Sequence, residues 1–419
     1  MPRLRTHPRD QLRGGQHSAR PGDGGRRLRN SGVLRTRRAG CSGRGGAPGR
    51  CVVTIGYLDL LSEQRHVLDQ LAKPGHHLVS GPPGSGKSLL AIHHAAALEI
   101  VGRPVTLIAH SKLLGQHLTA GGAQLGVSLP IMTFHGWVHA WYREATGSPL
   151  GGARIGAFDW TRLMSAALHD TGRRGHVLVI DEAQDLPQEF FGLCRVLGMD
   201  VVAFADECQR ITSTQSTLNE IEKALGGCGR LEISTNLRNP RPVAELARHF
   251  YPGLHQPPLP HRDGPVPVLL RRPEARRPFA RWLARYAETH RTRTIGVVVK
   301  HSREQGELLA EIERVSPGLR PQIYVSAAED ARYRKVDPDR SGLRLVNRAS
   351  VKGLDFDTVI VPDAHLDTDD PSSADLKMKY YVLVTRTRGE LYICYSGDQE
   401  PRMFDGIPQR TLVRQILPG

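Results

Sequence analysis

The run Gly81-Pro82-Pro83-Gly84-Ser85-Gly86-Lys87-Ser88 constrains this chain more than any other. It fits the pattern G-x-x-x-x-G-K-[ST] and lies between a short apolar segment, residues 77–80, and an apolar-rich run, residues 87–100. The first reads as a strand and the second as a helix. In such a strand–turn–helix unit the glycines let backbone N–H groups converge on phosphate oxygens, and the helix N-terminus adds positive dipole. The pattern therefore predicts nucleotide binding, with Mg²⁺ beside the phosphates. Gly81, Pro82, Pro83, Gly84, Ser85 and Gly86 would form the cradle, Lys87 would reach the β- and γ-phosphates, and Ser88 would hold Mg²⁺. Chance produces such a pattern in roughly one chain of this size in forty.

A second element has the form Val177-Leu178-Val179-Ile180-Asp181-Glu182-Ala183-Gln184-Asp185. An apolar strand ending in paired carboxylates delivers them to the C-terminal edge of a sheet, where ligands bind in open α/β folds. Asp181 is the candidate second Mg²⁺ ligand, and Glu182 the candidate base that orients and deprotonates an attacking water. Further short apolar segments at 105–109, 201–204, 295–299, 343–346, 359–361 and 391–395 alternate with helical runs. That rhythm predicts parallel sheets covered on both faces.

Charge is distributed unevenly. Residues 1–50 hold thirteen Arg, no Lys and two acids, a net +11 of the total +15, and eleven Gly. So few large apolar residues cannot offset chain entropy, so a disordered Arg/Gly-rich tail is expected over 1–51. Its role is open between an electrostatic nucleic-acid arm, a solvated tail, a transit peptide and translated sequence upstream of the true start. The six Cys have neither C-x-x-C nor zinc-finger spacing, so a disulfide framework or zinc site is not expected. No window offers the ~20 apolar residues of a membrane span. A cytoplasmic protein is the expectation. The domain reading is 52–250 for the first unit, a Pro-rich linker at 251–273, and 274–419 for the second.

The order of these runs resembles a superfamily 1 helicase of the UvrD-like type, over roughly residues 55–400. The resemblance implies two RecA-like P-loop domains with ATP between them and a single nucleic-acid strand, DNA ahead of RNA, across their top. By the same likeness Gln64 reads the adenine edge. His110 and Ser111 after the second strand, and Phe134, His135 and Trp137 in Thr133-Phe134-His135-Gly136-Trp137, are similar to strand-contacting loops. Gln209, in Phe204-Ala205-Asp206-Glu207-Cys208-Gln209, matches a γ-phosphate sensor, and Arg238, in Thr235-Asn236-Leu237-Arg238, a first arginine finger. Leu237 stands where the family has a base-stacking tyrosine. In the second domain Lys352-Gly353-Leu354-Asp355-Phe356 resembles the motif whose acid meets the ribose, here Asp355, one methylene shorter than the usual glutamate. Arg386, after Thr385, matches a second arginine finger.

The chain also departs from the large members of that family. Only 41 residues, 138–178, separate the Phe-His-Gly-Trp loop from the middle of the carboxylate strand, and Leu343 follows Arg303 by 40 positions. Big inserted subdomains are therefore not expected, which leaves two readings: an ATP-driven motor on a single strand, and an ATP-driven clamp or switch that does not unwind duplex. A P-loop GTPase is disfavoured because no Asn-Lys-x-Asp run is present to read guanine.

Overall fold

A strand buried on both faces reads as a nearly continuous apolar run, and its two side-chain sets must each meet a layer of helices. A computed structural model of the protein describes residues 57–151, 158–170, 172–206, 216–253, 256–325, 337 and 340–417. The Arg/Gly-rich tail and Gln209 lie outside them. The first sheet is built from β1 (His77–Ser80), β2 (Val105–Ala109), β3 (Ile131–Thr133), β4 (Val177–Ile180), β5 (Asp200–Ala205) and β6 (Gly229–Glu232). Its order is β3-β2-β4-β5-β1-β6, and every pairing is parallel. Along β4, Leu178 and Ile180 join one buried cluster while Val177 and Val179 join the other.

Helices α1 (Ser62–Leu71), α2 (Lys87–Ile100) and α3 (Lys112–Gln124) supply the cluster on one face. On the other face lie α4 (Phe134–Thr146), α5 (Trp160–Ala167), α6 (Gln188–Val196) and α7 (Leu218–Leu225). Helix α8 (Arg241–His249) follows β6.

The second sheet comprises β7 (Val268–Arg271), β8 (Thr294–Val299), β9 (Gln322–Ile323), β10 (Gly342–Asn347), β11 (Phe356–Val361), β12 (Thr387–Tyr395) and β13 (Val413–Ile416). It is again wholly parallel, in the order β13-β7-β12-β11-β8-β10-β9. Helices α9 (Arg276–Thr289) and α10 (Ser302–Val315) cover one face, and α11 (Ala374–Val384) the other. The fold is thus α/β with two parallel sheets, both inside one unit, 49–419. Among the described residues no helix is long and apolar enough to cross a membrane.

The structure differs from the sequence reading at the domain boundary. The segment 251–273, read as a linker, ends in β7, a strand of the second sheet. Helix α8, read as part of the first domain, sends Val243, Leu246 and Phe250 into the second sheet's cluster. Its hydrophobic face decides the matter: it buries against Tyr380, Tyr381 and Phe404 of the second lobe, so the chain changes lobes between β6 and α8. Leu113 of α3 joins that same cluster with Val351 and Phe356, an apolar contact between the lobes.

Candidate active site at the cleft between the lobes

The P-loop joins β1 to α2. Gly84 and Gly86 have φ of +81° and +90°, where a Cβ is strained. A Cβ on Gly84 would also lie 2.6 Å from both Arg238 Cβ and Asn236 Oδ1, so the loop is packed directly under the arginine that follows β6. Lys87 Nζ donates to the Gly81 and Pro82 carbonyls at 2.6 and 3.0 Å and lies 3.5 Å from Asp206 Oδ2. Ser85 Oγ is buried and makes no hydrogen bond among the described residues. A polar atom left so is costly unless a ligand meets it.

Strand β4 ends at Ile180, and Asp181 and Glu182 follow into the same space. Glu182 has φ 55° and ψ 45°, a left-handed conformation rare for a side chain with a Cβ. Such strain persists where the surroundings over-determine it, and here the backbone turns sharply off the strand into a 3-10 turn at Ala183–Asp185. Gln184 Nε2 donates to Glu182 Oε2 at 2.5 Å, while its Oε1 accepts from the Asp206 amide at 3.0 Å. One buried amide therefore ties the end of β4 to the end of β5.

The two carboxyls are pushed apart electrostatically. Burial, with Glu182 alongside, raises Asp181 from its ordinary range, against a hydrogen bond from Ser88 and the charge of Lys87. Burial alone would raise Glu182 as well, but Lys352, Lys87 and Arg386 outweigh it and hold that carboxyl down to about 2. Glu182 is thus an ionised acceptor at neutral pH. Asp181 Oδ2 is buried with no hydrogen bond among the described residues, and Ser88 bonds the same carboxyl. A hard oxygen pair of this kind fits Mg²⁺, so Ser88 and Asp181 are the residues that would hold it.

Arg238 is set by a local device. Asn236 Oδ1 accepts from the amides of Arg238 and Asn239, each at 3.1 Å, which curls the chain between β6 and α8. Asn239, fully buried, donates from Nδ2 to the Thr385 and Thr387 carbonyls at 3.1 and 2.7 Å and so fastens this turn to the second lobe. Arg386 follows the end of α11. Its Nε donates to the Val382 carbonyl at 3.0 Å, and the side chain is 1% exposed. Burial and the neighbouring Arg238 lower its pKa to about 10, which leaves it charged at neutral pH.

Lys87, Glu182, Arg238, Arg386 and Gln64 all line one cleft of about 780 Å³, with Gly353 and Asp355 on its far wall. Sequence reasoning thus selected residues from six separate segments that the fold brings together. Two of them sit differently from the expectation. Gln64, expected to read a base edge, is 2% exposed and turned inward: Oε1 accepts from the Leu61 amide at 3.1 Å and Nε2 donates to the Ser85 carbonyl at 3.0 Å. Asp355, expected to meet a ribose, instead pairs with Arg238 Nε at 3.2 Å and Arg388 Nη2 at 2.6 Å.

Of the expected strand contacts, Phe134 and Trp137 are corrected. They are buried, and Phe134 packs edge-on against Phe158 and Phe190 while Trp137 stacks on Trp141. The reason is helical period: Phe134, Trp137, Val138 and Trp141 fall on the one face that α4 turns to the core. Ser111 caps α3 by accepting from the Leu114 amide at 3.1 Å. His110 and His135 are exposed at the same edge of the first sheet, with His135 lowered by partial burial and by His139 and His110.

Three residues that received no role in the sequence reading stand out. Lys352 donates to Asp185 Oδ1 at 2.5 Å, Arg388 holds Asp355, and Asp206 faces Lys87. Lys352 and Asp206 lie within runs already singled out and Arg388 two positions after Arg386, but the partner of each is a distant residue that no local spacing reveals.

The family model described as an AAA domain matches residues 59–213. The search of curated proteins finds no match. Among solved structures, the C-terminal domain of a possible DNA helicase from Lactobacillus plantarum WCFS1 is 18% identical, with a TM-score of 0.33, over 42% of this chain and 97% of that one. An arterivirus nonstructural protein 10 (helicase), solved with DNA, is 15% identical, with a TM-score of 0.39, over 79% of this chain and 62% of that one.

Proposed function

We propose that the chain is a nucleic-acid-dependent motor that hydrolyses ATP with Mg²⁺ in the cleft between its two lobes while moving on a single strand, DNA ahead of RNA, in the cytoplasm. The observation that carries this reading is that Lys87 and Glu182 of the first lobe line the same cleft as Arg386 of the second. A P-loop ATPase of one lobe has no use for an arginine delivered by another sheet. In this reading Lys87 binds the β- and γ-phosphates and Glu182 accepts a proton from the attacking water. The water oxygen bonds to the γ-phosphorus, the bond to the bridging oxygen breaks, and ADP and phosphate leave. Mg²⁺ held by Ser88 and Asp181 would neutralise charge on the phosphate oxygens. Arg238 and Arg386 stabilise the charge of the transferring group, an effect worth about 10³–10⁵ in rate. Gln209 is the proposed γ-phosphate sensor, and His110, Ser111 and His135 the proposed strand contacts.

A clamp or switch that does not unwind duplex is the second reading. It is favoured by the burial of Phe134 and Trp137, which removes two rings that could have stacked on bases. The deciding experiment is ATPase rate with and without single-stranded DNA and RNA, followed by displacement of a protein block from a labelled strand. Strand-stimulated hydrolysis with displacement supports the motor. Stimulation without displacement supports the clamp, and hydrolysis indifferent to either strand removes nucleic acid from the reading.

A further inference from the structure

The turn that carries Arg238 and the stretch 385–388 that carries Arg386 are bridged by side chains other than the two arginines. Asn239, fully buried, donates from Nδ2 at 3.1 and 2.7 Å to the carbonyls of Thr385 and Thr387, the two residues that flank Arg386. Its Oδ1 accepts from Asn236 Nδ2 at 3.0 Å, so both N–H groups and the oxygen of that amide are in use. Arg262 makes a second bridge from the exposed rim. Its Nη1 donates to the Arg238 carbonyl at 2.8 Å and its Nη2 to the Arg388 carbonyl. Asp355 adds a third link, between the side chains of Arg238 and Arg388. Toward the first lobe, the same turn is joined to the phosphate loop by the Leu237 amide, which donates to the Gly84 carbonyl at 2.9 Å.

We propose that Asn239 and Arg262 are positioning residues that lock Arg238 and Arg386 at a fixed spacing, so that the second lobe delivers both guanidiniums to the γ-phosphate as one unit. The inference rests on the proposed hydrolysis at this site and deepens it. Its physical basis begins with repulsion. Arg238 lies close enough to Arg386 to help lower its pKa, and two cations left to their own rotamers move apart. The Asn239 and Arg262 bridges oppose that by gripping main chain: the groups they hold are the carbonyls of Arg238, Thr385, Thr387 and Arg388. They take no donor from either finger. A buried polar network whose members are all satisfied is rigid, and rigidity is what a transition-state contact needs. Misplacing such a contact by about 1 Å costs about 10²-fold in rate, so a residue that never touches the nucleotide can still govern turnover.

The test is steady-state ATP hydrolysis, ATP binding and thermal unfolding of the full chain with Mg²⁺ and single-stranded DNA. The variants are Arg238→Ala, Arg262→Ala, Asn239→Ala, and each of the last two combined with Arg238→Ala. Arg262→Ala should keep the melting temperature and the ATP affinity and lower kcat by about 10²-fold. It should cost little further once Arg238 is alanine, because the group it positions is gone. Asn239→Ala should behave alike, and since it removes a buried side chain, the exposed Arg262 decides the matter if Asn239→Ala does not fold. Arg262 also lines the cleft, so direct contact with the nucleotide is the rival. That rival predicts weaker ATP binding in Arg262→Ala and a loss that persists in full beside Arg238→Ala; either result overturns the inference. Unchanged kcat in folded Arg262→Ala overturns it too, and all of these leave the ATPase reading intact. If the wild-type chain does not hydrolyse ATP, that reading fails, and this inference with it.

Discussion

Lys352 of the second lobe and Asp185 of the first meet in a 2.5 Å ion pair, the lysine 8% exposed and the aspartate 1%. Asp185 closes the 3-10 turn that carries Glu182 off β4, so this contact joins the second lobe to the carboxylate-bearing end of the first sheet. Burial pushes the Asp185 carboxyl up against the pull of Lys352 and His110, as expected where desolvation rivals the Coulombic gain. Removing one partner leaves the other charge buried. Lys352→Met should therefore cost about 3–5 kcal/mol, and Lys352→Met with Asp185→Leu should cost less than the single change. Urea unfolding of the two variants checks the ordering.

The Asp355 pair supplies a pH prediction. Burial would raise this carboxyl, but Arg238 and Arg388 outweigh it and hold it well below its ordinary 3.8. A folded-state pKa below the unfolded one gives stability that is present at neutral pH and lost as pH falls below the carboxylate range. Wild type should thus exceed Asp355→Asn by a constant margin from neutral pH down to about pH 5, and the two should converge below that. Unfolding midpoints carried well below about pH 5 would show a difference that stays flat there, and so sink the idea, if the carboxylate were not paired.

Core-facing and solvent-facing positions separate cleanly in α4. Trp137→Ala and Phe134→Ala remove large buried side chains and should each cost about 3–5 kcal/mol. His135→Ala, on the exposed side of the same turn, should leave the melting temperature nearly unchanged and weaken strand binding. Equal strand affinity in the folded His135 variant would exclude that histidine from the interface.

The carboxylate pair and the P-loop should separate binding from chemistry. Lys87→Ala is expected to abolish tight ATP·Mg²⁺ binding, because Lys87 supplies charge to the ground state. Glu182→Gln should bind normally and not turn over, because in the proposed mechanism Glu182 acts only as water attacks. Normal turnover in Glu182→Gln would reassign the base.

What the sequence made legible follows from how far each signal reaches. The strands at 77–80, 105–109 and 177–180 are readable because burial on both faces leaves short, largely apolar runs, and the P-loop because its chemistry is local. Strand β6, with exposed Gly229, Arg230 and Glu232, carries no such signal, since it is an edge strand solvated along its length. Which sheet α8 packs on is not legible in the sequence, because an amphipathic helix looks the same whichever sheet it covers. Gln64 and Asp355 were found by position, yet their partners, Ser85, Arg238 and Arg388, depend on three-dimensional closure and not on spacing.

Arg386 gives the sharpest test of the composite site. It lies some 300 positions from Lys87 and reaches the cleft because α11 ends beside it, with Nε anchored on the Val382 carbonyl. An arginine that acts on transition-state charge contributes little to ground-state binding. Arg386→Ala should leave nucleotide affinity within a few fold and lower strand-stimulated hydrolysis by about 10³ or more. Arg386→Lys should rescue little, since an ammonium lacks the planar fork of donors and would also lose the Val382 contact. Because the side chain is buried, thermal unfolding must accompany the kinetics. A variant that keeps its melting temperature and its nucleotide affinity but loses turnover identifies a finger. Loss of all three identifies a structural arginine, and unchanged turnover would mean that the second lobe takes no part in the chemistry.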